Sequence, residues 1–222
     1  MPMKPLCFVL MPFGRKPAGD GRVVDFDSVY ANLIKPAIEA AGLEPLRADQ
    51  ETTGGLIHKA MFERLILCEY AVADMTTANA NVFYELGVRH STRSFTTVPV
   101  FAAGWGQLPF DVNGLRAVPY QLGADGTPAA AAADISMLGA RLQAARDTDP
   151  ATDSPVYQLV EGFPDIQRLK TDVFRERVRY AEGIKRRLAA ARDGKDIAVL
   201  QAIEAELGAV AEADAAVVVN LL

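Results

Sequence analysis

Asp74 and Glu85 are the two residues of this chain whose type and spacing best suit chemistry. They bracket Asp74-Met75-Thr76-Thr77-Ala78-Asn79-Ala80-Asn81-Val82-Phe83-Tyr84-Glu85, which follows the apolar run Tyr70-Ala71-Val72-Ala73 and continues into Leu86-Gly87. An apolar strand runs into an acid, a polar loop follows, and a helix then opens with a glutamate in its first turns. In an open α/β sheet this puts both carboxylates at the carboxyl edge of the strands, where ligands bind. A carboxylate there suits ribose: it accepts hydroxyl protons and it stabilises positive charge developing on a sugar ring. Asn79 or Asn81 can cap the helix; one is enough for that, and two are present. Gly87 lets a ligand or another backbone come close, at a cost in helix propensity.

The loop Met11-Pro12-Phe13-Gly14 follows the first apolar run, where sheets of this class bring backbone N–H groups to a ligand. Arg15 and Lys16, next in the chain, suit a phosphate or a solvated surface pair. Neither the Walker spacing nor a Gly-x-Gly-x-x-Gly fingerprint occurs, so the usual pyrophosphate clamps are not expected. His58 and His90 are the only histidines and lie too far apart to suggest a metal site. No Ser/His/Asp or Cys/His set can be assembled. Trp105 suits either stacking on a base or, more simply, plugging a hydrophobic gap. The basic residues Arg168, Lys170, Arg175, Arg177, Arg179, Lys185, Arg186 and Arg187 are interleaved with Glu176 and Glu182, which reads as a solvated or partner-facing helix surface.

The elements that must position these residues follow from periodicity. Leu6-Cys7-Phe8-Val9-Leu10-Met11 is continuously apolar, as in a strand buried on both faces. A polar, Gly-rich loop is expected from Pro12 to about Asp25. From Asp27 the spacing of Val29, Leu33, Ile34, Ala37, Ile38 and Ala41 is helical, with a kink expected at Pro36 and a C-terminal cap at Gly42. Leu43 to Leu46 reads as a strand, and Leu56 to Ile66 as a helix entered through Thr52-Thr53-Gly54-Gly55. Tyr70 to Met75 is a strand and Asn81 to about Ser91 a helix. Thr97 to Phe101 and Leu115 to Tyr120 are strands, and the Ala-rich stretch Ala129 to Ala145 is helical, most clearly from Asp134. This short-range alternation is the pattern of a doubly wound parallel sheet.

Asp147 to Pro155 has the composition of a linker. It divides an α/β domain, 1–146, from a helical segment, 156–222, in which Val156 to Arg192 is broken at Gly162-Phe163-Pro164. A turn at Asp193-Gly194-Lys195-Asp196 precedes a last helix with Leu200, Ile203, Leu207 and Val210 in register. The apolar end Ala215 to Leu222 suggests a chain cut before further helices that would cover it.

Half of the 222 residues are hydrophobic, 23% are charged and the net charge is −5, so composition gives no reason to expect nucleic-acid binding. Cys7 and Cys68 read as small buried apolar residues. A signal-peptide pattern and a membrane-length apolar run are both missing, so a cytoplasmic location without membrane contact is expected.

The site residues also resemble a known superfamily. Met11-Pro12-Phe13-Gly14 and the motif D-x-T-x-x-N-x-N-V-F-Y-E-L-G, from Asp74 to Gly87, look like the nucleoside 2-deoxyribosyltransferase and TIR-like group, over roughly residues 6 to 122. Asp153-Ser154-Pro155-Val156-Tyr157-Gln158-Leu159-Val160 and the helices after it resemble the central regulatory, TRAF-binding region of the apoptosis signal-regulating kinases and its bacterial relatives. The resemblance implies a flavodoxin-like fold: a five-stranded parallel sheet with helices on both faces, followed by a C-terminal helical hairpin that begins a tetratricopeptide-type array. It implies that Glu85 is catalytic and that Asp74 binds ribose or assists the leaving group. Asn81 would orient the sugar, and Phe13 and Gly14 would wall the base. With Met11, Pro12, Arg15 and Asn79, these form the expected site, without a metal. Phe83-Tyr84 departs from the Trp-Cys pair that precedes the glutamate in TIR NADases.

The expected activity is cleavage of the nicotinamide–ribose bond of NAD, as substrate rather than cofactor, or of a related nucleotide. The setting would be a signalling or defence protein that self-associates and is regulated by helical repeats or a partner that binds them. The alternatives are a non-catalytic nucleotide-binding or interaction scaffold, and a nucleoside deoxyribosyltransferase. Nicotinamide leaves a cationic ring as a neutral molecule and needs no acid, whereas a neutral purine must be protonated as it departs. One glutamate therefore suits NAD.

Overall fold

The computed structural model describes residues 4–47, 57–106, 115–147, 153–163, 180, 183–184 and 186–219. The chain divides into two compact units, Met1–Leu169 and Lys170–Leu222.

In the first unit, strand β1 (Leu6–Leu10) is buried at every residue, as its unbroken apolar sequence requires. A hairpin follows, β2 (Arg15–Pro17) antiparallel to β3 (Val23–Asp25). This stretch reads as loop in the sequence because the strands are short and β2 is exposed throughout, so no apolar alternation marks them.

Helix α1 (Phe26–Val29) passes into a π-helical stretch, Tyr30–Ile34, and then into α2 (Lys35–Ala40). The π-helical turn is where the expected Pro36 kink is absorbed. The proline has no N–H for the carbonyl of Asn32, and wider winding before it removes that demand. The helix closes with Leu43 N–H on Ile38 O (3.1 Å) and Gly42 N–H on Glu39 O (3.0 Å), the paired bonds of a glycine-ended helix.

Strand β4 (Glu44–Arg47), helix α3 (Ile57–Leu67), strand β5 (Tyr70–Asp74), helix α4 (Ala80–Thr92), strand β6 (Thr97–Ala102), strand β7 (Val118–Tyr120) and helix α5 (Ala131–Asp147) complete the alternation. The five long-range strands form one all-parallel sheet in the order β4-β1-β5-β6-β7. Counted along the chain this is 2-1-3-4-5, the flavodoxin-like order, with its switch point between β1 and β5.

Strand alternation sorts the two faces. Cys7, Val9, Met11, Tyr70, Val72, Val98 and Val100 pack with Val29, Leu33, Ile34, Ile38, Leu138 and Leu142 from the helices on one side. Phe8, Leu10, Ala71 and Ala73 alternate with them and are equally buried. On that second side α4 packs on β1 and β5, and α3 on α4. Cys7 and Cys68 are buried free thiols.

What seats α4 is Arg89, which is 0% exposed. Its guanidinium donates to the carbonyls of Leu65 (2.8 Å), Cys68 (2.7 Å) and Glu69 (3.0 Å) and to Thr97 Oγ1 (3.2 Å). Arg93 donates to Ile66 O (2.8 Å) and Leu67 O (3.0 Å). The last carbonyls of a helix have no partner within it, and here two arginines from the next helix supply them. Burial, with Arg93 close by, pulls the Arg89 pKa down to about 9, so it remains a cation at neutral pH. The same environment pushes the buried His90 down to about 4, which makes it a neutral packing residue.

Asp153 and Ser154, read as part of a linker, are bonded into this first unit. Thr97 N–H donates to Asp153 Oδ2 (3.1 Å), and Ser154 Oγ donates to His90 O (2.6 Å). The short helix α6 (Pro155–Leu159) that follows packs on α4. The rest of the linker and residues 164–179 lie outside the described residues, as does the Thr52–Gly55 entry.

In the second unit a helix covering 186–193 turns at Gly194–Lys195 into α7 (Ile197–Val219). Asp196 starts α7 by accepting from Val199 N–H (3.1 Å), and Arg187 bridges to Glu206 across the hairpin at 2.8 Å. Among the described residues no helix is long and apolar enough to cross a membrane.

Arg89→Met would remove the Arg89 donor from the buried carbonyls of Leu65 and Cys68, while Glu69 O keeps the Thr96 hydroxyl. It should cost about 3–5 kcal/mol, read as a lower urea midpoint.

Candidate active site at the carboxyl edge of the sheet

The carboxyl ends of β1 and β5 lie side by side at the switch point, with Leu10 in register with Ala73. The loops they feed therefore flank one crevice: Met11 to Gly14 on one side, Met75 to Asn79 and the start of α4 on the other.

Met11 is 4% exposed and belongs to the hydrophobic core. Phe13 is 39% exposed, with its ring at the surface of the loop. Gly14, at φ +64°, turns the chain back. Its N–H donates to Asp27 Oδ1 (3.2 Å) and its carbonyl accepts from Phe26 N–H (3.1 Å). Arg47, at the end of β4, donates to the same Asp27 oxygen at 2.5 Å and lies over the rings of Phe13 (4.7 Å) and Tyr30 (4.9 Å). The Arg47 bond, with Gly14 N–H beside it, holds the Asp27 carboxyl below the usual range. Arg15 and Lys16 are successive residues of β2 and project to opposite faces, so they cannot both address one phosphate. Arg15 lies 3.9 Å from Asp25.

Asp74 is only 1% exposed. Its Oδ1 accepts from Thr76 N–H (3.0 Å) and Thr76 Oγ1 (2.6 Å), and its Oδ2 from the Tyr120 hydroxyl (2.7 Å). Thr76 Oγ1 in turn accepts from Ala102 N–H (2.9 Å) and lies 2.9 Å from the Tyr120 hydroxyl. Both carboxylate oxygens thus tie the end of β5 to β6 and β7. Burial raises the Asp74 pKa against the opposing pull of Thr76 and Tyr120. Nothing in residues 70–80 marks Tyr120 as the partner, 46 positions away. Gly106 closes the same edge: a Cβ there would come within 2.7 Å of Thr76 O.

Between Asp74 and α4 the backbone turns through Ala78, at φ +49°, a sparsely populated region for alanine. Asn79 is the cap of α4: its side-chain oxygen accepts from Asn81 N–H (3.0 Å) and Val82 N–H (3.3 Å). Asn81 is exposed and one turn before Glu85, so the two share a face of the helix. Tyr84 meets Phe62 of α3 edge-on, with centroids 6.3 Å apart.

Glu85 lies beside the buried stripe Val82, Leu86, Arg89 and His90 and is half-buried itself. Desolvation raises its pKa to about 7, and among the described residues no hydrogen bond or ion pair offsets that burial. A carboxylate so placed is destabilising for the fold and useful to a cationic ligand.

Trp105 is 2% exposed, and the Arg22 guanidinium sits 4.0 Å over its ring. It therefore fills a gap and offers no face to a base. Among the described residues no group of three or more His, Cys, Asp or Glu side chains is placed to hold a metal ion. Arg47 is the residue at this edge that sequence reading missed; it ends a short strand and carries no motif.

Comparison of the chain with protein-family models, with characterised proteins and with solved structures found no match.

Two expectations follow. Tyr120→Phe leaves Asp74 Oδ2 buried without its donor and should cost about 1–3 kcal/mol in chemical denaturation. Glu85→Gln should stabilise the protein only above about pH 4.5. The folded pKa of about 7 lies above the ordinary 4.5. The penalty of the wild-type carboxylate is therefore absent below about 4.5, grows between the two values, and is complete above about 7. Thermal melts at about pH 4.5 should coincide, and at about pH 8 the variant should be more stable by about 1–2 kcal/mol, a figure discounted for partial solvation.

Proposed function

We propose that the first unit is an N-glycosidase of the TIR-like and deoxyribosyltransferase-like superfamily. It would cleave the nicotinamide–ribose bond of NAD or a related nucleotide within a signalling or defence protein. The observation that carries this reading is Glu85. It is a half-buried carboxylate without a partner among the described residues, raised to about 7, on the helix that borders the switch-point crevice.

Glycosidic C–N cleavage passes through an oxocarbenium-like state. As the bond from the anomeric carbon to nitrogen breaks, its electron pair stays on the nicotinamide, which leaves neutral. The positive charge moves to the ribose ring, where the Glu85 carboxylate stabilises it or captures it covalently. Water then adds at the anomeric carbon and its proton passes to Glu85 or solvent. Asn81, on the same helix face, orients the sugar. Asp74 acts as a positioning residue: with both oxygens engaged, it holds the loop that leads into α4 rather than protonating a leaving group.

That engagement favours the cationic leaving group over the neutral base of a deoxyribosyltransferase. The helical hairpin is read as the start of a repeat array that regulates the site, in a cytoplasmic protein that self-associates. A scaffold without turnover is the competing reading.

NAD, NADP and a deoxynucleoside mixture incubated with the protein at high concentration, followed by chromatography, separate these readings. Nicotinamide should be released by the wild type, and roughly 100-fold or more slowly by Glu85→Gln. The rate should rise with pH through about 7 as Glu85 ionises. A rate that falls over this window would make Glu85 an acid instead. Exchanged bases with intact NAD would point to a transferase, and survival of every substrate to a scaffold.

A further inference from the structure

Asp153 and Ser154 cross the amino edge of the sheet, opposite the crevice, and are held there by polar bonds. The backbone N–H groups of both donate to Ser94 O (2.9 and 3.1 Å). Ser154 Oγ donates to His90 O (2.6 Å), and Thr97 N–H donates to Asp153 Oδ2 (3.1 Å). The two residues therefore straddle the turn between α4 and β6. Apolar burial adds little to this grip. Helix α6, which follows, has no fully buried residue, and Leu159 is 83% exposed.

Two features oppose the docked arrangement. Asp153 Oδ1 is buried and, among the described residues, has no hydrogen-bond partner. A buried acceptor without a donor carries its desolvation cost uncompensated. Thr96, in the turn beneath, is held at φ +73°, a region that a β-branched residue enters only under strain.

The charged groups that face Asp153 are Arg89 of α4 and Arg141 of α5, and β6 presents only the backbone N–H groups of Thr96 and Thr97. Arg89 is already committed to backbone carbonyls. Burial outweighs these neighbours and raises the Asp153 pKa from 3.8 to about 6. His90 is held down at about 4, so it stays neutral above that and adds no change of charge near pH 6.

We propose that Asp153 and Ser154 form a pH-sensitive strap, docked on the end of α4 in mild acid and released more readily as Asp153 ionises, without unfolding of the sheet. The docked state holds its proton more tightly than the released one. Docking is therefore strongest below about 3.8 and weakens as pH rises through about 6. Release uncovers the carbonyls of His90 and Ser94, at the far end of the helix that carries Glu85. The strap needs no assumption about what Glu85 does.

Native-state amide hydrogen exchange on the full chain, read by NMR, tests this. After correction for intrinsic exchange, protection of the Ser154 and Thr97 amides should fall roughly tenfold from about pH 5 to about pH 7.5. It should also stay well below that of the β5 amides, which open only with the sheet. Asp153→Asn is neutral at every pH and should make strap protection independent of pH. Ser154→Ala loses the bond to His90 O. It should lower protection by a similar factor at both ends of the range and keep the wild-type slope.

The proposal is overturned if the strap amides exchange only together with those of β5, or if wild-type protection does not change with pH. It is equally overturned if Asp153→Asn retains the wild-type slope.

Discussion

A buried guanidinium bonded chiefly to backbone carbonyls, that of Arg89, is the contact on which the candidate site depends. Backbone carbonyls at the end of a helix need donors, and α3 ends in a partly buried position, with Leu65 and Cys68 fully enclosed. Arg89 and Arg93 bring those donors from α4. The same bonds fix where α4 lies against the sheet. Glu85 is one turn before Arg89 on that helix, so its position follows from a structural requirement at the helix's other end.

The carboxyl edge of the sheet is built in a similar way. Asp74, Thr76, Tyr120 and Ala102 N–H form one bonded group that joins three strands. Burial charges a penalty on Asp74, and its three hydrogen bonds offset part of it. Glu85 shows the opposite case, burial without compensation. Two carboxylates eleven positions apart in one motif thus have different physical situations, one spent on holding the edge and one left available. Natural sites commonly accept lower stability where a reactive group must be held ready.

Much of the architecture was legible in residue patterns. The apolar runs at Leu6 and Tyr70 are strands, and the helical spacing from Val29 to Ala41 is a helix. The hairpin at Arg15–Asp25 was not legible, because exposed three-residue strands carry no apolar signal. Asp153 and Ser154 looked like linker because acidic and small polar residues compose linkers. Their bonds to Thr97 and His90 are made with residues 56 and 64 positions away, which composition cannot register. Pro36 announced a disturbance in its helix, and the form it took is a π-helical turn upstream in which Leu33 and Ile34 are buried.

Local sequence determined the elements, their alternation and the two loops that face each other, because period and turn chemistry are short-range properties. It also determined that Asp74 closes a strand and that Glu85 sits early in a helix. Only the tertiary structure decided that Asp74 is enclosed by Tyr120, that Arg47 stands behind Phe13, and that Glu85 lacks a described partner. Charge state and availability depend on what the fold brings within a few ångströms, and those neighbours come from strands and helices far apart in the chain.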